Sequence, residues 1–138
     1  MKKPVFVDTA AWLALLNKSD ALHEKAKRIR NKLVRERRQF LLTDYIVVEI
    51  ANALSRVPFR QTAVQTISLI QSSANTMVVR VDKEIFGEAW RLYSERLDKE
   101  WSFTDCTSFI VMNRMGLTDA FTSDHHFEQA GFNILLKD

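Results

Sequence analysis

Residues 5–16 read VFVDTAAWLALL: three apolar residues, one carboxylate, then an apolar run of a different kind. Residues 4–8 are a short buried strand, and helix follows from about Thr9 to Asn17. The same alternation continues along the chain. A second helix runs from near Asp20 to about Arg38, with Leu22, Ala26, Ile29 and Leu33 spaced at three and four and Ser19 or Asp20 as its cap. Gln39 to Leu42 is a brief strand. Thr43 caps a helix through Leu54, and Pro58 marks its end. Residues 60–71 form another helix, Thr76 to Val81 a strand, and Asp82 starts the helix that carries Phe86, Ala89, Trp90 and Tyr93. A last long helix covers Phe103 to Met115, closed by Gly116. Asp119 to Thr122 and Phe132 to Leu136 are the final strands, joined by a turn of helix. Strands alternating with helices imply an α/β fold: a mainly parallel sheet with helices on both faces.

Composition narrows the class. The 138 residues fit one domain, 1–138, with 46% hydrophobic and 27% charged content, a globular balance. No apolar run approaches the roughly 20 residues that span a bilayer. The basic start MKK leads into apolar residues, but Asp8 interrupts them and no small-residue cleavage site follows, so no signal peptide is expected. The single Cys106 can form no internal disulfide, which suits a reducing cytosol. A net charge of +3 is mild; the basic run at residues 28–38 reads as a solvated helix face. No GxGxxG or GxxxxGK[ST] element is present, which disfavours a dinucleotide site and a P-loop.

Four acids stand where such a chain has least structural use for them. Asp8 ends the first strand and Asp124 follows the fourth, where open parallel sheets place their ligand crevice. Glu49 sits within the apolar helix YIVVEIANAL, and Asp105 opens SFTDCTSFIVM. Each has an ordinary reading. Asp8 and Asp124 fit helix N-caps, Asp105 fits a capping box with Ser102, and Glu49 could pair with Arg56 at the edge of its helix face. Burying Glu49 unpaired is strongly unfavourable, however. Acids brought together repel unless something cationic offsets them, and a hard divalent cation with oxygen ligands is the simplest offset. His125 and His126 adjoin Asp124, but adjacent histidines in a turn point in different directions, and a hard-ion site needs no imidazole. His23 reads as a packed helix residue. Asp44 suits the first turn of its helix, and Asp119 only precedes the strand that leads to Asp124. No position is diagnostic alone; their joint placement is.

The ordered strings VFVDTAAWLALL, TDYIVVEIANALSR, WSFTDCTSFIVM and AFTSDHHFEQAGF resemble the PIN-domain family, which includes the ribonuclease toxins of type II toxin–antitoxin pairs. The resemblance covers nearly the whole chain. It implies an α/β/α sandwich with a parallel sheet and an acidic pocket for Mg²⁺ or Mn²⁺. The family's first acid matches Asp8, with Thr9 as the small hydroxyl beside it to orient the carboxylate or a water. Its mid-helix glutamate matches Glu49, its third acid after Ser/Thr matches Asp105 (with Ser102 and Thr104 supporting), and its fourth matches Asp124. Some relatives carry a further acid one turn on, where this chain has Phe109. The implied activity is metal-dependent hydrolysis of RNA phosphodiesters, with Arg56, Arg60 and Lys99 on flanking phosphates. A cognate antitoxin, a homodimer built on aromatic and aliphatic residues of the first helices, and a cytoplasmic location complete the expectation.

The family also holds nucleases that are not toxins. Two other classes compete. A receiver-like phosphoacceptor would use Asp82 and Lys137, but two helices separate its second and third strands and Glu49 would have no role. A non-enzymatic binding module would keep its function with all four acids neutralised.

Overall fold

The computed structural model describes residues 2–137. Its central strand is β1, Val5–Val7, and all three residues are fully buried, as a parallel sheet covered on both faces requires. Strands β2 (Phe40–Thr43), β3 (Thr76–Val79), β4 (Asp119–Phe121) and β5 (Asn133–Ile134) complete the sheet. The order is β3-β2-β1-β4-β5 and every pairing is parallel. Parallel neighbours need long crossovers, and helices supply them. Helices α1 (Thr9–Leu16) and α2 (His23–Arg35) precede β2; α3 (Asp44–Ala53) and α4 (Val57–Ser72) precede β3. Helices α5 (Lys83–Glu95) and α6 (Phe103–Arg114) precede β4, and α7 (His125–Gln129) precedes β5.

Side-chain alternation along β1 splits the core in two. Phe6 joins Leu41, Ile46, Ile50, Phe109 and Phe127 on one face, while Val5 and Val7 join Ala11, Ala14, Ala26 and Leu33 on the other. Burying each such Leu or Phe contributes about 1.5–3 kcal/mol. The result is the α/β/α sandwich. Among the described residues no helix is long and apolar enough to cross a membrane.

Several boundaries differ from the sequence reading, each for a local reason. α2 starts at His23 because the Asp20 carboxylate accepts the Leu22 amide at 2.8 Å, closing a turn instead of capping a helix. His23 is a packed residue: its Nδ1 lies 2.8 Å from the Ala14 carbonyl oxygen and ties α2 to α1. α2 ends at Arg35 because Arg37 turns left-handed, with φ 57°. Pro58 lies in the first turn of α4 and so opens that helix instead of closing the previous one, a position where its missing N–H is no loss. β3 stops at Val79, and the Val81 amide donates to Asp44 Oδ1 at 2.9 Å. Asp44 therefore pins the strand's exit.

Candidate active site

β1 sits between β2 and β4, so the chain leaves it on one side and returns on the other. That reversal opens a crevice beyond the strand ends. Asp8 is the first residue past β1. It occupies the N-cap position of α1, yet its side chain makes no cap bond to that helix. Its Oδ2 instead accepts the Thr122 hydroxyl at 2.8 Å. The same hydroxyl accepts the Asp124 amide at 3.1 Å, so Thr122 links the acids that follow β1 and β4. No reading of isolated acids finds Thr122; its only signal is a hydroxyl two residues before Asp124.

Glu49 projects from α3 toward the same crevice. Its Oε1 accepts the Thr9 hydroxyl at 2.5 Å, and no bond to Arg56 exists among the described residues. Thr9 therefore orients Glu49, not the adjacent Asp8. Asp105 forms the expected capping box: its amide donates to Ser102 Oγ at 2.9 Å, and its Oδ2 accepts the Ser102 amide at 3.1 Å. Thr104 contributes only its carbonyl, to Thr107 at 2.6 Å. Asp124 caps α7, its Oδ1 accepting the His126 amide at 2.9 Å. The two histidines do not diverge: their ring centroids are 4.5 Å apart.

The electrostatics bear on what could occupy the crevice. Burial pushes Asp8 up to about 7; the Thr122 bond and the nearby Thr9 amide lower it, while the charges of Asp105 and Glu49 raise it. Burial also raises Asp105 against its bond to the Ser102 amide, and the Asp124 charge adds to the rise. Among the described residues no Lys or Arg pairs with any of the four; only the histidines do. Glu49, Asp105 and Asp124 each bond the protein through one oxygen and keep the other without a protein hydrogen bond among the described residues. Hard oxygens, repelling and without a fixed cation, suit a divalent ion. Among the described residues the ligand atoms of Asp124, His125 and His126 all lie within 4.8 Å of one another, and no three of the four acids come that close. The carboxylate oxygens remain the harder donors, and the His125 side chain is 71% exposed. Cys106 is no ligand: burial and the Asp105 charge push its thiol to about 11, far from thiolate.

The remaining residues scatter. Lys99 lines a cavity of about 390 Å³ that reaches Ser102 and Cys106, with its Nζ 6.0 Å from the Trp101 ring. Arg60 bonds the Ser55 carbonyl through two nitrogens at 2.9 and 2.8 Å, and Arg56 is exposed at the start of α4. Asp119 is structural, bound by Arg38 at 3.2 Å. The rival phosphoacceptor residues are employed elsewhere: Asp82 caps α5 through the Ile85 amide at 2.8 Å, and Lys137 pairs with Glu128 at 2.8 Å. Phe109 packs in the core against Trp101, Phe127 and Phe132, which leaves no room for a further acid there.

The PIN-domain family model matches residues 5–133. The 23S rRNA-specific endonuclease VapC20 of Mycobacterium tuberculosis is 32% identical over 128 residues, 93% of this chain and 95% of that protein. The crystal structure of that VapC20, described as a Sarcin-Ricin loop cleaving toxin, superposes with a TM-score of 0.83 over 94% of this chain and 96% of its own. VapBC2 from Rickettsia felis bound to a promoter DNA fragment gives 0.72 at 9% identity, covering 96% and 97% of the two chains. FitAcB from Neisseria gonorrhoeae gives 0.65 at 16% identity, covering 94% and 95%. The last two show the shared fold.

Proposed function

This chain belongs to the PIN-domain family, and from that premise we propose that it is a divalent-metal-dependent endoribonuclease, the toxin of a type II toxin–antitoxin pair, working through Asp8, Glu49, Asp105 and Asp124. One observation carries the reading: Asp8, raised to about 7, feels the charges of Asp105 and Glu49, Asp105 feels that of Asp124, and no Lys or Arg pairs with any of the four among the described residues. The similarity to an endonuclease named for 23S rRNA supports RNA as the substrate. Domain 1–138 acts as one nuclease unit, and the cytoplasm is its place of action.

Asp8 and Asp105 would hold the ion, with Glu49 and Asp124 as direct or water-bridged ligands; Mg²⁺ or Mn²⁺ fits this donor chemistry. When bound, the ion neutralises charge and lowers the pKa of a water, which phosphodiester hydrolysis needs. The chain's own residues set the geometry. Thr9 holds Glu49, Thr122 holds Asp8 and the loop of Asp124, and the capping box fixes Asp105. Lys99, at the rim beside Ser102, holds a flanking phosphate, and Arg56 and Arg60 do so further along.

Partners follow from exposed apolar surface. An antitoxin segment docks in the cavities flanking α1, of about 390 and 330 Å³, lined by Trp12, Leu15, Leu16 and Leu13. A homodimer forms through aromatic and aliphatic side chains, those of the first helices and the exposed aromatic residues of α5; Trp12, on α1, is partly buried against both cores.

The test is Asp8→Asn, which keeps shape and removes one negative charge. Cleavage of single-stranded RNA with Mg²⁺ or Mn²⁺ is expected to be lost while the protein stays folded. Wild-type cleavage that survives EDTA, or a variant as fast as wild type, rules out the metal mechanism.

A further inference from the structure

We propose that His126 is a positioning residue of the acid pocket: one imidazole N–H, at Nδ1, spans the carboxylates of Asp105 and Asp124 and turns their remaining oxygens toward the ion. This rests on the metal-nuclease reading above. Nδ1 lies 3.2 Å from Asp105 Oδ2 and 3.4 Å from Asp124 Oδ1. Two acceptors face one ring nitrogen, so that nitrogen carries the hydrogen. Among the described residues His126 is the one side chain that reaches both acids.

The oxygens it touches are already engaged. Asp105 Oδ2 accepts the Ser102 amide and Asp124 Oδ1 accepts the amide of His126 itself. Asp105 Oδ2, holding a backbone N–H and the imidazole N–H, has both lone pairs engaged, while Asp124 Oδ1 holds one backbone N–H and has the imidazole nitrogen 3.4 Å away. Asp105 Oδ1 and Asp124 Oδ2 have no protein hydrogen bond among the described residues, and these are the atoms free to ligate. A helix cap fixes each carboxylate within its own element, α6 or α7. The imidazole fixes one relative to the other, against their mutual repulsion. The half-buried ring has side-chain exposure of 20%, so it can hold one orientation, whereas His125 at 71% cannot be held by burial. Groups that orient ligands in this way typically change metal affinity by about 10–100-fold when removed.

The experiment measures Mn²⁺ binding to the purified protein without RNA, from the electron paramagnetic resonance signal of the free ion. His126→Leu is expected to weaken binding by about tenfold or more. His126→Asn, whose amide nitrogen falls near the place of Nδ1, restores binding to within about threefold of wild type, and His126→Gln, which reaches one bond further, does not. If His126→Leu fails to fold in thermal melts, the contrast between the Asn and Gln variants carries the test. Spin-echo spectra of the wild-type Mn²⁺ complex are expected to lack nitrogen coupling. His126→Leu binding as tightly as wild type overturns the proposal, as do Asn and Gln variants that bind alike. Nitrogen coupling lost on removing His126 also overturns it, by making the ring a ligand. Folded wild-type protein that binds no Mn²⁺ removes the metal reading itself and the proposal with it.

Discussion

Asp8 is the residue that folding most disfavours in its charged form. In the unfolded chain its carboxyl ionises near 3.8, and in the fold at about 7, chiefly because it is buried. Between those values the folded state binds a proton that the unfolded state has released, so stability falls as pH rises through that window and levels off above it. At about 1.4 kcal/mol per unit, the loss is on the order of a few kcal/mol. Asp105, also raised, acts in the same direction. In EDTA, calorimetry is expected to give a higher melting temperature at pH 5 than at pH 8, and Asp8→Asn should shrink that difference. Added Mn²⁺ should raise the wild-type melting temperature at pH 8, since a ligand of the folded state stabilises it. An equal melting temperature at both pH values in wild type would mean the carboxyl is not desolvated.

The helix that carries Asp105 shows how one element serves both fold and site. Cys106, Thr107, Ser108, Phe109, Val111 and Met112 of α6 are all buried, so no polar stripe defines where the helix begins. Ser102 and Asp105 define it by satisfying each other's backbone amides. Gly116, at φ 66°, lets the chain turn away at the other end. Ser102→Ala is expected to lower stability by about 1 kcal/mol, read from urea unfolding. Loss of the Oγ acceptor also leaves Asp105 held only by the Ser102 amide and His126, so Mn²⁺ binding should weaken as well. Unchanged unfolding would show that the cap is dispensable. α2 makes the opposite point: Asp20 looks like a cap in sequence, but its carboxylate reaches only the amide two residues on.

Across the whole molecule, the exposed aromatic residues gather on α5, apart from Phe59 on α4. Phe86, Trp90 and Tyr93 of α5 recur at helical spacing and are 46%, 56% and 44% exposed. Trp90 stacks on Tyr93 with centroids 5.7 Å apart, and Phe103 at the start of α6 meets all three of these rings. Tyr45, one turn before Glu49, continues the row at 6.4 Å from Phe103. Sedimentation is expected to show a dimer for wild type and a monomer for Trp90→Glu, with the melting temperature little changed because Trp90 packs mainly at the surface. A wild-type monomer at high micromolar concentration would remove the dimer.

The order of strands and helices, the parallel sheet and the four acids were legible in residues alone. Buried parallel strands must be continuously apolar, so VFV announced itself, and a carboxylate after such a run, or inside YIVVEIANAL, stood out against its neighbours. Local rules also gave the Thr43 and Asp82 caps and the Ser102–Asp105 box. What residues alone could not decide was which groups hold which. Thr9 sits next to Asp8 yet serves Glu49, because helix α1 turns its hydroxyl toward α3. Thr122 reaches Asp8 only because β1 and β4 are neighbours in the sheet. His126 meets Asp105 only where α7 comes against α6. The exposure of Trp90, the partial burial of Trp12 and the full burial of Phe109 were equally beyond a one-dimensional pattern. Periodicity and caps act over a few residues, whereas these contacts depend on the relative placement of whole elements, which only packing of the two core faces against the sheet decides.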